Sequence, residues 1–326
     1  MSTADAGGKF VTLDDIRGAA RRVAAIARRT PLLDVSAPAG RPLLLKCENM
    51  QPGGAFKIRG AFNMIAQLTA DQRRRGVITF SSGNHGQAVA LAARELGAPA
   101  VVVMPTTAPQ IKVEGTRAAG AEVIFAGTTS VERRQRAEAE AAARGLTMVP
   151  PFDHAWIIAG QGSAGLEILE QCPQVAAVVV PIGGGGLAAG VAAAIKLSRP
   201  GVRVVGVEPS GAAAMKASLD AGHAVTLDRT HSVADGLMPV RPGDLTFAHV
   251  RRFVDEVVTV EDEQIVDAVL WLFDKVAVRA EPSGAATVAA ALAGAGGVEG
   301  PVVAIVSGGN VSMETIDTLR RQRSGR

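Results

Sequence analysis

Tyrosine is absent from this sequence, and aromatic residues of all kinds make up only 3% of it. Sequence-tolerant binding of single-stranded nucleic acid uses aromatic faces on which bases stack, so that class of function is disfavoured. Excess charge of one sign is missing as well: 34 lysines and arginines face 31 acids, for a net +3. The basic clusters Arg73-Arg74-Arg75 and Arg133-Arg134-Gln135-Arg136 sit among acids and small residues and read as solvated helix faces, not as a nucleic-acid footprint. Cysteine is limited to Cys47 and Cys172. That is too few for a disulfide framework and lacks metal-ligand spacing, which fits a reducing compartment. Long apolar runs are also missing; stretches such as Val175 to Ile182 are strand-sized, well short of the roughly 20 residues of a membrane span. The opening Met1-Ser2-Thr3-Ala4-Asp5-Ala6-Gly7-Gly8 lacks the charged and apolar regions of a secretory signal. The cytoplasm is therefore the expected location, with neither a membrane nor a nucleic acid as partner.

What is present is material for a large core: 48% of the 326 residues are hydrophobic, enough for one large or two ordinary domains. Short β-branched runs alternate with Ala-rich helical stretches. The runs Leu43–Leu45, Val77–Phe80, Ala100–Val103, Val123–Phe125, Val178–Val180, Val204–Val207 and Val302–Val306 predict buried parallel strands. Between them, helices are predicted over Gln87–Leu96, Val131–Arg144, Leu187–Leu197 and Ile265–Val276. This alternation implies an α/β architecture with helices on both sheet faces.

Four glycine- or serine-rich motifs punctuate that alternation. Lys57 lies in Pro52-Gly53-Gly54-Ala55-Phe56-Lys57-Ile58-Arg59-Gly60-Ala61, among glycines and apolar side chains. Burial disfavours its charged form, and a neutral amine is a nucleophile that small neighbours would let a flat aldehyde-bearing ring approach, as suits a Schiff-base lysine. Ser81-Ser82-Gly83-Asn84-His85-Gly86-Gln87 follows a strand and opens a helix, where free N–H groups and hydroxyls can bind a carboxylate or simply cap the helix. Pro181-Ile182-Gly183-Gly184-Gly185-Gly186-Leu187 does the same after another strand, and its backbone N–H groups can cradle a phosphate without a basic side chain. A tight turn would also explain it, whereas a dinucleotide fold usually spaces its glycines differently. Ser307 ends the last buried run, in Ser307-Gly308-Gly309-Asn310, where a strand-end cap is the ordinary explanation. His85 has no partner histidine nearby, so a structural loop role is expected for it, and no metal site is expected.

Taken in order with Glu281-Pro282-Ser283-Gly284-Ala285, these motifs resemble the serine/threonine dehydratase and serine racemase family, fold-type II enzymes that use pyridoxal 5′-phosphate. The resemblance runs from Thr12-Leu13-Asp14-Asp15-Ile16 and Arg29-Thr30-Pro31-Leu32 to Asn310. It implies two open, mostly parallel twisted sheets, as in the β subunit of tryptophan synthase, with a small domain of about residues 76–152 inserted into a large one built from 1–75 and 153–326. It further implies that Lys57 carries the cofactor, that Gly183, Gly184, Gly185 and Gly186 with Leu187 hold its phosphate, and that Asn84 meets its ring oxygen. Ser307 would meet the pyridine nitrogen, Phe56 and Gly236 would line the ring, and Glu281 belongs to the same cofactor set. Ser81, Ser82, Gly83, Asn84 and His85 would receive the substrate carboxylate, with Ser82 as a second acid/base opposite Lys57. A hydroxyl at Ser307 leaves the ring a weak electron sink, which suits β-elimination. The implied reaction converts a β-hydroxy amino acid, L-threonine or L-serine first, to a 2-oxo acid and ammonia. Homodimers are common among such enzymes. The chain ends without room for an extra C-terminal regulatory domain, which favours the catabolic branch.

Departures from the family pattern refine these expectations. Glu208 matches one ligand of a cation-binding stretch in racemase-like members, but Ala214 stands where a second carboxylate is expected, leaving too few oxygens for a hard cation. Phe152 and Pro239 occupy positions that are polar in racemase-like members, and Arg133 matches an arginine near their substrate pocket. A racemase, a dehydratase of 3-hydroxyaspartate and a non-catalytic cofactor-binding regulator stand as alternatives.

Overall fold

The computed structural model describes residues 10–81, 83–108 and 110–324; Ser82, expected as an acid/base and carboxylate ligand, lies outside them. Ten strands form along the described chain: β1 (Leu32–Asp34), β2 (Leu43–Lys46), β3 (Val77–Phe80), β4 (Ala100–Met104), β5 (Glu122–Phe125), β6 (Thr147–Met148), β7 (Ala177–Pro181), β8 (Arg203–Pro209), β9 (Glu256–Val260) and β10 (Val302–Ile305). They make a six-stranded sheet in the order β1-β2-β10-β7-β8-β9 and a four-stranded sheet in the order β5-β4-β3-β6. Only β1 runs antiparallel, against β2.

Burial on both faces explains why the central strands read as unbroken apolar runs. Val178 and Val180 of β7 pack with Val303 and Ile305 of β10 on one face, while Ala177 and Val179 pack with Val302 and Ala304 on the other. In the smaller sheet, Val102 and Met104 of β4 face one layer and Val101 and Val103 the opposite one. Each fully buried valine contributes about 1.5–3 kcal/mol by leaving water.

Topology then places the site. β10, the last strand in sequence, sits between β2 and β7, so Ser307 emerges beside the glycine run that follows β7. Parallel strands direct their carboxyl ends to one edge, and that edge is where open α/β sheets take ligands. The chain leaves the large sheet after β2, builds the whole four-stranded sheet, and re-enters at β7. The helix Lys57–Ala66 packs against both Asn84–Glu95 and Ala155–Gln171, and so ties the two sheets together.

Candidate active site

Lys57 opens its helix, directly after Phe56. Its ammonium donates to Pro151 O at 2.7 Å and lies 5.2 Å from the Phe56 ring centre. Burial pulls its pKa down to about 8, so near neutral pH an appreciable fraction is already a free amine. The segment is anchored to the end of β10: Phe56 N donates to Ser307 O at 3.1 Å, Ala55 bridges Gly308, and Gly309 N donates to Gly54 O at 2.9 Å. Three consecutive residues, remote in sequence from Lys57, thus fix where its helix begins.

Across from Lys57 runs the loop Gly183–Gly186. Gly185 has φ +94°, a left-handed conformation that favours glycine, and caps the helix Gly186–Ser198. A side chain at Gly184 would overlap the Phe152 ring, and one at Gly186 would press on the Phe152 backbone. Phe152 therefore packs on the glycine loop, next to the carbonyl that holds Lys57. The Gly184 carbonyl is fixed by Thr246 Oγ1 at 2.6 Å, and the Asp153 carboxylate accepts from the N–H groups of Asp244, Leu245 and Thr246. Bare backbone opening a helix can bind a phosphate. Gly183 lies against Gly236 and Leu237, and a methyl group added to it would be 3.0 Å from Gly236 O. Gly236 N donates to Ser283 Oγ at 2.8 Å, while Ser307 Oγ, buried at the strand end, is 3.4 Å from Ser283 O. The circuit from Lys57 through Phe152, the glycine loop, Gly236 and Ser283 back to Ser307 closes on itself.

The smaller sheet supplies the other wall. Ser81 Oγ accepts from Gly83 N at 3.1 Å, turning the chain into the helix that starts at Asn84. The Asn84 amide is oriented from both ends: its Nδ2 donates to Glu281 Oε1 at 2.6 Å, and its Oδ1 accepts from Asn310 Nδ2 at 2.9 Å. Asn310 Nδ2 also donates to Gly53 O at 2.8 Å, which fixes the direction of this chain of hydrogen bonds. Burial, followed by the neighbouring Asp235 charge, raises the Glu281 pKa to about 7. His85 is buried and its Nε2 lies 3.0 Å from Val149 O. Burial and the Lys57 charge push its pKa down to about 3, so the ring is neutral and Nε2 is the donor. His85 thereby braces the helix start against Val149. Leu187, the second residue of the helix Gly186–Ser198, is buried in the core.

Residues matched to the racemase-like branch take less central places. Both Glu208 oxygens accept backbone N–H groups, from Met215 and Lys216 at 2.8 Å each, and burial raises its pKa to about 7. Arg133 Nη1 donates to Thr128 O while its Nε is buried without a partner among the described residues, so it is only partly solvated. Pro239 lies beside Gly183.

Asn310, Pro151, Asp153 and Thr246 belong to this site although their chemistry does not announce them. Asn310 had a signal in its Ser-Gly-Gly-Asn motif. Pro151 acts through its carbonyl, Asp153 through a carboxylate capping a helix 91 positions away, and Thr246 through a hydroxyl on Gly184 O, pairings that no local pattern encodes.

Comparison with known proteins agrees with this geometry. A family model described as "Pyridoxal-phosphate dependent enzyme" matches residues 23–308. An L-threonine ammonia-lyase from Thermotoga maritima is 45% identical over 314 residues, spanning 95% of this chain and 78% of that protein. An L-threo-3-hydroxyaspartate ammonia-lyase from Saccharomyces cerevisiae is 38% identical over 94% of this chain and 96% of its own. The solved structure of maize serine racemase superposes with a TM-score of 0.91 at 40% identity, covering 97% of this chain and 99% of that one.

Proposed function

Because this chain belongs to the pyridoxal-phosphate dependent enzymes, we propose that it eliminates water and then ammonia from a small β-hydroxy amino acid, L-threonine or L-serine first, to give a 2-oxo acid. The observation that carries this reading is Lys57: a desolvated amine with a pKa of about 8, held by Pro151 O opposite a glycine cradle that a single methyl group at Gly184 would obstruct. These features fit the cofactor. An aldehyde needs a neutral amine, and a phosphate needs bare backbone N–H groups at a helix start.

Pyridoxal phosphate bound here supplies an electron-withdrawing ring that makes the substrate Cα proton removable. The N–H groups of the Gly183–Gly186 loop would hold the phosphate. Asn84, its amide fixed by Glu281 and Asn310, would meet the ring oxygen. Ser307 Oγ, at the end of β10, would meet the pyridine nitrogen, and a hydroxyl partner there would favour departure of the negative charge with the β-hydroxyl. Phe56 and Gly236 would line the ring, Leu187 would support the phosphate loop from the core, and Ser81, Ser82 and Gly83 would receive the carboxylate. Lys57 Nζ takes the Cα proton once it is freed, as general base. The enamine released then hydrolyses in water. Alongside this activity we propose a cytoplasmic homodimer, with residues 76–152 as a smaller domain inserted into the larger one and the site between the two.

A lysine with a pKa near 8 predicts how cofactor loading responds to pH. Loading of the cofactor-free protein should speed up about tenfold per pH unit below 7 and level off near pH 8, because only the neutral amine attacks. Stopped-flow absorbance at fixed ionic strength measures it, and a rate still climbing at pH 10 would contradict a desolvated Lys57.

Threonine or serine should exceed 3-hydroxyaspartate in kcat/KM by about tenfold or more, since Phe152 and Pro239 offer no side-chain donor to a distal carboxylate and an unpaired buried polar group costs roughly 1–3 kcal/mol. Release of 2-oxo acid across a panel of β-hydroxy amino acids tests both the function and this preference; no release from any of them would end the reading. Likeness to maize serine racemase supports racemisation of the same substrates as a second reading. Chiral analysis separates the two: D-serine forming faster than pyruvate would establish the racemase.

A further inference from the structure

We propose that Lys112 receives the substrate carboxylate beside the Ser81–Gly83 turn, and that Asp235 holds its ammonium there until substrate arrives. This specifies one residue of the proposed amino-acid site and rests on that function. Lys112 lies on the helix Gln110–Ala118, which packs on the four-stranded sheet, whereas Asp235 begins the short turn Asp235–Leu237 on the side of the larger sheet. Lys112 Nζ reaches across to Asp235 Oδ2 at 3.1 Å, and a methyl group added to Gly83 would lie 3.5 Å from the same nitrogen. One ammonium thus spans the mouth of the cleft and touches the turn assigned to the carboxylate.

The charges around it give that position a purpose. Asp235 pairs with Lys112 from one side, and its Oδ1 is 3.4 Å from Ser283 Oγ; Glu281, two residues before Ser283, is buried behind it. The Asp235 charge raises the Glu281 pKa and Lys112 lowers it, so all three groups share one local field. A carboxylate arriving at Gly83 would meet the Asp235 charge were Lys112 not paired with it and beside Gly83. The Lys112–Asp235 pair is also suited to exchange. The Asp235 side chain is 57% exposed and that of Lys112 22%, and an ion pair that wet is weak, so a docking carboxylate can draw the lysine from it.

The test uses cofactor-loaded wild type, Lys112→Met, Lys112→Arg and Asp235→Asn. Acetate is the probe of the carboxylate site, its binding followed by perturbation of the cofactor absorbance, a readout independent of turnover. Lys112→Met should weaken acetate binding and raise KM by roughly ten- to a hundredfold, the range of a charge-assisted hydrogen bond, while kcat changes far less. Lys112→Arg should restore most of the loss. Asp235→Asn removes a negative charge facing the carboxylate and should tighten acetate binding. Unaltered acetate affinity in a cofactor-loaded Lys112→Met would overturn the assignment. So would equal weakening by Lys112→Met and Asp235→Asn, which would mark the pair as a clamp between the two sheets. Lys112-dependent acetate binding in a wild type that eliminates no β-hydroxy amino acid would overturn the proposed function instead.

Discussion

Lys57→Ala should lower turnover by at least about a thousandfold, since it removes both the covalent anchor of the cofactor and the base that takes the Cα proton. Borohydride reduction of the loaded wild type, followed by peptide mapping, should place the label on Lys57, and the alanine variant should carry none. Lys57→Arg should be no better, because a guanidinium stays protonated and cannot attack an aldehyde. A label on any other lysine of the loaded protein would overturn the assignment, whatever the activity of the variants.

The second large effect is expected at Arg59, two residues further along the same helix. Its side chain is fully buried and makes a two-pronged contact with Glu48, at 2.7 and 2.8 Å, and another with Glu167, at 2.7 and 2.9 Å. Lys46, also buried, completes the group by donating to Glu167 and to Thr30 O. Burial alone would raise the Glu48 pKa, but the Arg59 guanidinium and Lys46 together hold it below the usual carboxylate value. Arg59→Ala leaves the Glu48 charge buried without its principal partner and should cost about 3–5 kcal/mol of stability. Urea unfolding of the cofactor-free protein measures the loss. Adding Glu48→Gln to Arg59→Met should recover part of it, because no unpaired charge then remains inside; a single-variant loss below about 1 kcal/mol would show that water enters the network. The depressed Glu48 pKa also gives the wild type a contribution that is present above the ordinary glutamate pKa and fades as pH falls through the folded value. This network supports the first turn of the lysine's helix, so Arg59→Ala should also slow turnover in whatever fraction stays folded.

The sequence by itself settled the α/β class, because strands buried on both faces must be apolar throughout. Seven runs stand out for that reason, and each lies within one of the observed strands or runs one residue past its end. The glycine loop and the Lys57 segment were equally legible: bare backbone at a helix start and a lysine among small residues are local features. β1, β6 and β9 were not. β1 is a three-residue antiparallel edge, β6 has two residues, and β9 is an edge strand whose glutamate and threonine break the apolar run. Tertiary structure alone placed the last strand of the chain between β2 and β7, and so brought Ser307 to Phe56 and Glu281 to Asn84. It alone turned Pro151, Asp153 and Thr246 into parts of the site, and set Lys112 against Asp235 across 123 positions of sequence. Such pairings follow from strand order and crossover geometry, and side-chain chemistry read along one dimension does not encode the distances that strand order creates.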